Sequence, residues 1–137
     1  MFAGLEMTLT TAAVCRVVGS TLVILTSAAL AFGGIQLWRG GPGAWPDVIA
    51  NETTVRRASC GMIAMALLLL VSGLAALGNV PRGGRAAAIA ILVVVVAAFP
   101  ANYTLFGDVR LLHTGTNIVL AAVVLALLWV GHEGQTR

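Results

Sequence analysis

Charged side chains are scarce in this sequence, and lysine is missing altogether. Only 9% of the 137 residues are charged, and all eight basic side chains are arginines. Soluble globular domains carry about a quarter charged residues, so the composition excludes that class. The arginines are scattered among the connections between apolar runs and form no basic stripe of the kind that binds nucleic acid. We therefore expect no nucleic-acid partner.

The sequence also has few groups from which a catalytic or metal centre could be built. Its two cysteines, Cys15 and Cys60, stand near the starts of two consecutive apolar runs. If these runs are antiparallel spans, about 30 Å of hydrocarbon separates the thiols, whereas a disulfide needs Cα atoms within about 7 Å. We expect two free thiols. One His with one Asp is too small a ligand set for a metal, and no serine lies near a histidine, so the chain is predicted not to be an enzyme.

The chain does contain long hydrophobic runs. Hydrophobic residues make up 59% of it, and the mean hydropathy is +0.99. A membrane-spanning helix needs about 20 apolar residues. Four such runs are predicted as spans, at about 17–38, 58–77, 86–105 and 111–130. The predicted fold is an all-α integral membrane four-helix bundle that forms a single domain over residues 1–137.

Four spans would place both termini on one side of the membrane, and the composition suggests the cytoplasmic membrane of a bacterium. Arginine counts do not orient the bundle, since each side carries the same number. The side of the termini has Arg16, Arg82, Arg85 and Arg137; the other has Arg39, Arg56, Arg57 and Arg110. Residues 1–15 are either an interfacial lead-in or the first turns of a long helix.

The densest run of hydrogen-bonding side chains, 102–117, separates the third and fourth apolar runs. Pro100 just before it should loosen the last turn of the third helix, because proline removes a helix hydrogen bond. In the fourth helix His113 and Asn117 would lie one turn apart on one face. The candidate ligand-binding residues are Asn102, Tyr103, Asp108, Arg110, His113 and Asn117. On the same side, the first connection contributes Trp45, Asp47, Glu52, Arg56 and Arg57.

Two interpretations of this run remain open. His113 and Asn117 could bind the headgroup of a quinone or lipid, with Asp108 fixing the imidazole tautomer. Alternatively the run is structural, with Asp108 capping the fourth helix and Thr116 and Asn117 bonding neighbouring backbones. No charged residue lies near the middle of any predicted span, which argues against a proton-coupled transporter.

Several residues carry a family resemblance. Arg16-Val-Val-Gly19 opens the first span, Gly33-Gly34 lies near its end, a Trp/Pro/Gly-rich connection follows, and Gly61 comes early in the second span. This layout resembles the DoxX-like family of small four-span bacterial membrane proteins, and the resemblance implies a link to sulfur and quinone redox chemistry. Where that family often has a Glu, near the start of the second span, this chain has Ser59, Cys60 and Gly61.

Three functions follow from the sequence. The first is a non-catalytic accessory or scaffold subunit that packs against other membrane subunits or further copies of itself, among membrane lipids. Small residues in the spans, among them Gly19, Gly34 and Gly61, would allow the close helix approach that bundle packing uses. The second is a DoxX-like protein that binds a quinone or lipid; the sequence names no cofactor beyond this candidate. The third is a small-solute transporter.

Overall fold

A computed structural model describes residues 2–45, 48–78, 80–107 and 111–133, and these ranges contain four α-helices and no strand. The helices are α1 (Phe2–Gly40), α2 (Glu52–Leu77), α3 (Gly83–Phe106) and α4 (Leu111–Glu133). A short 3-10 turn, Gly41–Gly43, follows α1. Around the bundle, α1 packs against α2 and α4, and α3 packs against the same two helices from the other side. The predicted all-α four-helix bundle is confirmed.

The lengths and hydropathies of the helices are those of a membrane protein. Three of them, α1, α2 and α3, are long and apolar enough to cross a membrane. The 26 residues of α2 make it about 39 Å long, against about 30 Å for the hydrocarbon core of a bilayer. In α4 the residues from Gly115 to Gly131 form a shorter apolar stretch.

Each helix contains the corresponding predicted span, and three begin earlier than the apolar pattern suggested. The largest extension is in α1, which begins at Phe2, so the chain adopts the long helix rather than a separate lead-in. In α2 the helix starts at Glu52, where the Asn51 side chain accepts a 2.9 Å hydrogen bond from the backbone N–H of Thr54. This bond satisfies one of the N–H groups that the first turn of a helix leaves without a partner.

The α3 helix continues through Pro100 and ends at Phe106, with Gly107 as its C-cap. Gly107 has φ +70°, a left-handed conformation that glycine adopts at little cost, and its N–H donates to the carbonyl of Tyr103 at 2.8 Å. A Cβ at Gly107 would meet the side chain of Ile49 at 2.7 Å. The end of α3 is therefore fixed where the first connection crosses it.

Two groups of buried apolar side chains hold the bundle together. The larger one joins all four helices through residues such as Val23, Leu69, Ala90 and Val124. The smaller lies at the end of the bundle where α1 finishes, and it is made of Leu37, Val55 and Leu105 with partly buried neighbours. Many large apolar side chains point outward, for example Phe32, which is 64% exposed. In a bilayer these side chains contact lipid and need no protein partner.

Glycines bring α1 and α2 into close contact. A Cβ built on Gly34 would lie 3.0 Å from Ile63, and one on Gly73 would lie 3.1 Å from Val23. The buried Ser59 hydroxyl donates a 2.6 Å hydrogen bond to the Gly34 carbonyl, which ties the two helices together. The predicted pair of free thiols is confirmed, since neither Cys15 nor Cys60 forms a disulfide.

Candidate functional site

The connection between α1 and α2 folds over the end of α3. The Trp45 ring stacks on Phe106 with 6.2 Å between the ring centroids and 21° between the planes. The N–H of Ile49 donates a 2.9 Å hydrogen bond to the carbonyl of Leu105. Carbonyls in the last turn of a helix have no partner within the helix, so this bond satisfies one of them and fixes the connection. Trp45 is thereby held at one end of a cleft.

This cleft runs between α2 and α3, and its volume is about 700 Å³. Both helices supply its walls, while Leu30 of α1 and Asn117 of α4 also reach it. Ligand pockets in proteins have volumes of about 300–1,000 Å³. The polar side chains that line the cleft are Trp45, Thr54, Arg57, Asn102, Thr104 and Asn117. The cleft is therefore large enough for a small molecule and has several groups to bind its polar part.

Polar and apolar groups are separated along the cleft. Thr54 and Arg57 come from the first turns of α2, and Thr104 comes from the last turns of α3, so these groups share one end. Further along the same helices the lining becomes hydrocarbon and thioether, with Met65 and Val94 as examples. From Thr54 to Met65 the lining covers about 17 Å of helix at 1.5 Å per residue. Apart from the Asn117 amide, the cleft is thus polar at the end of the bundle and apolar toward its middle.

Short side chains create the space. Ala97, Ala98 and Ala101 of α3 line the cleft, as does Gly61 of α2. No heavy atom lies within 4 Å of a Cβ built on Gly61. The expectation that Gly61 serves close helix packing is therefore wrong: unlike Gly34, it borders open space.

Two adjacent arginines at the polar end have different surroundings. Arg56 forms a 3.0 Å ion pair with Glu52, and its guanidinium lies 5.2 Å from the centroid of the Trp38 ring. Arg57 lines the cleft, and no carboxylate in the part of the chain that the structure describes forms an ion pair with it. Among the described lining residues Arg57 is the one with a charged side chain. It gives the polar end of the cleft a positive charge.

The structure brings together two of the predicted ligand-binding residues. Asn102, which is half-buried, and Asn117 both line the cleft from different helices, and no hydrogen bond joins their side chains. Tyr103 is 62% exposed and does not line it. Asp108 and Arg110 lie outside the described residues, as does the side chain of His113. A network that joins all of these groups stays a prediction.

The first connection supplies one lining residue of the cleft, and α2 supplies more. Trp45 and Arg57 are both among the residues predicted to accompany the polar run, and both line the cleft, whereas Asp47 lies outside the described residues. No pattern in the sequence singles out Thr54 or Thr104. A usable signal was present in Gly61 and the alanines of α3, since small residues on facing helices can leave space as well as close it.

No protein-family model, curated protein or solved structure matches this chain. The resemblance to the DoxX-like family therefore stays a prediction. The geometry and chemistry of the cleft are the basis on which a function can be inferred.

Proposed function

We propose that this protein is a non-enzymatic, multi-pass protein of a bacterial cytoplasmic membrane that binds an amphipathic molecule, a lipid or a quinone, between α2 and α3. The observation that carries the proposal is the 700 Å³ cleft, polar at the end of the bundle and apolar toward its middle. An amphipathic molecule has the same division between a polar head and a hydrocarbon part. The quinone alternative also agrees with the DoxX-like resemblance.

The position of the polar groups supports this proposal. Arg57 lies in the first turns of α2 and Trp45 in the connection before it, so a membrane crossed by α2 would have its headgroups near both residues. Tryptophan is enriched at this level, and arginine side chains near helix ends extend their charge toward it. A ligand with its head at Arg57 would keep the depth that it has in the surrounding bilayer. Both termini would then lie on the opposite side of the membrane.

A second candidate is the accessory or scaffold subunit. Gly115, Ala122 and Ala126 are exposed on α4, and a Cβ on Gly115 would meet no atom within 4 Å. Exposed small residues spaced along a helix let a second helix approach closely in a membrane. This face would suit another subunit or a second copy of the chain, and its use would not interfere with the cleft.

Removing the amide of Asn117 should weaken ligand binding without preventing it. A net hydrogen bond contributes about 0.5–1.5 kcal/mol, so Asn117→Leu should weaken binding by about two- to ten-fold. The measurement is a titration of delipidated protein in nonionic detergent with phosphatidylglycerol and, separately, with decylubiquinone. Tyr103→Phe is the matched control, because Tyr103 lies outside the cleft. If neither amphiphile binds the unchanged protein, the proposed function is wrong.

A further inference from the structure

A second cavity, of about 290 Å³, adjoins the cleft toward the middle of the bundle. The two share five lining residues: Leu30, Met62, Val94, Ala98 and Asn117. Beyond them the inner cavity is lined by α1, α3 and α4, through Thr26, Ala29, Ile91, Val95, Leu120, Ala121 and Val124. Because five residues border both spaces, the two cavities are direct neighbours.

The inner cavity is suited to hydrocarbon. Thr26 is one of its two polar side chains, and its hydroxyl already donates a 2.8 Å hydrogen bond to the carbonyl of Leu22 in the same helix. The other is Asn117, at the junction with the cleft. Apart from these two, the lining residues are alanine, valine, leucine, isoleucine and methionine.

Taken together, the two cavities are long compared with the membrane. On α3 their lining extends from Phe106 in the cleft to Ile91 in the inner cavity. At 1.5 Å per residue this distance is about 22 Å, whereas half of the hydrocarbon core measures about 15 Å. A ligand that filled both cavities would therefore need a long chain that passes the middle of the bilayer.

Arg57 is the charged group of the site. It is the single charged side chain among the described residues that line either cavity. Arg56 is held on the outer surface by Glu52 and Trp38. A guanidinium donates stronger hydrogen bonds to a phosphate or carboxylate than to a neutral acceptor.

We infer that the cleft and the inner cavity together bind one long-chain anionic amphiphile, with its phosphate or carboxylate at Arg57 and its hydrocarbon chain in the inner cavity. This inference rests on the proposed function and adds the charge of the head and the length of the chain. It favours an anionic lipid over a quinone, whose head is neutral.

The preference for an anionic head is tested by titrating delipidated protein in nonionic detergent. The ligands are hexadecyl phosphate, palmitate and the neutral monopalmitoylglycerol. Hexadecyl phosphate should bind about ten-fold or more tightly than the neutral amphiphile, a preference that Arg57→Gln should remove and Arg56→Gln should leave in place. Palmitate binding as tightly as the phosphate would indicate a general anion site, and weaker palmitate binding a phosphate site; both support the inference.

The preference for a long hydrocarbon chain is tested by replacing hexadecyl phosphate with octyl phosphate. Ala29 and Ala28 are neighbouring exposed residues of α1, and of the two only Ala29 lines the inner cavity. Ala29→Leu should remove the preference for the longer chain, and Ala28→Leu should keep it. Equal binding of anionic and neutral amphiphiles, or of long and short chains, would overturn the inference and leave the proposed function standing. If no amphiphile binds, both are wrong.

Discussion

Replacing Gly61 with leucine should weaken amphiphile binding strongly while the bundle stays folded. Gly61 is exposed, lines the cleft, and has no heavy atom within 4 Å of the place where its Cβ would be. A leucine there can project into the space that the ligand needs. Forcing extra methylene groups into a filled site costs about 1–3 kcal/mol, so binding should weaken by about five- to 150-fold. Hexadecyl phosphate in nonionic detergent is the probe.

Gly115→Leu is the matched control for this variant. Gly115 is also an exposed helix glycine with open space around it, but it lines neither cavity. Both substitutions replace a poor helix former with a good one, which stabilises a helix by up to about 1 kcal/mol. Both variants should therefore fold, and only Gly61→Leu should lose the ligand. Equal loss in the two variants, or in neither, would contradict a ligand site beside Gly61.

Gly83→Ala should destabilise the protein strongly for a substitution that adds a single methyl group. A Cβ on Gly83 would lie 2.7 Å from the carbonyl carbon and oxygen of Ala75 and 2.9 Å from the nitrogen of Ala76. These atoms belong to the α2 backbone, so they cannot move aside as a side chain can. Because α3 begins at Gly83, the start of that helix must shift, and we expect the free energy of unfolding to fall by about 1–3 kcal/mol.

Gly115→Ala should change the stability in the opposite direction. Its new methyl group enters open space, and alanine replaces glycine within a helix, so this variant should be more stable by about 0.5–1 kcal/mol. Unfolding in mixed detergent micelles, followed by the helical circular dichroism signal, measures both changes. A Gly83→Ala protein as stable as the unchanged one would show that α2 and α3 are not in close contact at this point.

The apolar pattern predicted the four helices but not where all of them begin. It placed the second span from about residue 58, whereas α2 begins at Glu52. Five of the six added residues, 52–57, are polar. The Asn51 cap and the Glu52–Arg56 pair stabilise this first part of the helix, which adds little hydropathy. The early start of α1 has a related cause, since no proline interrupts residues 2–16 and a helix can continue through them.

The site was harder to predict because it depends on which face of α2 meets which face of α3. The sequence located a polar run at 102–117, and of its candidate residues Asn102 and Asn117 do line the cleft. It could not show that α2 forms the other wall, since nothing in a run of apolar residues reveals which face meets α3. Nor could it separate Arg56 from Arg57, because neighbours in a helix point about 100° apart and only the packing decides which one lines the cleft.

The central claim is that an amphipathic molecule occupies the space between α2 and α3, and photo-crosslinking tests it most directly. The probe is hexadecyl phosphate with a diazirine in its chain, bound in nonionic detergent, and the crosslinked residues are identified by mass spectrometry. We predict crosslinks at the residues that border both cavities, such as Leu30, Met62 and Val94, and their loss in Gly61→Leu. Crosslinks spread over outward-facing side chains such as Leu25, Phe32 and Val119, unchanged in that variant, would contradict the claim.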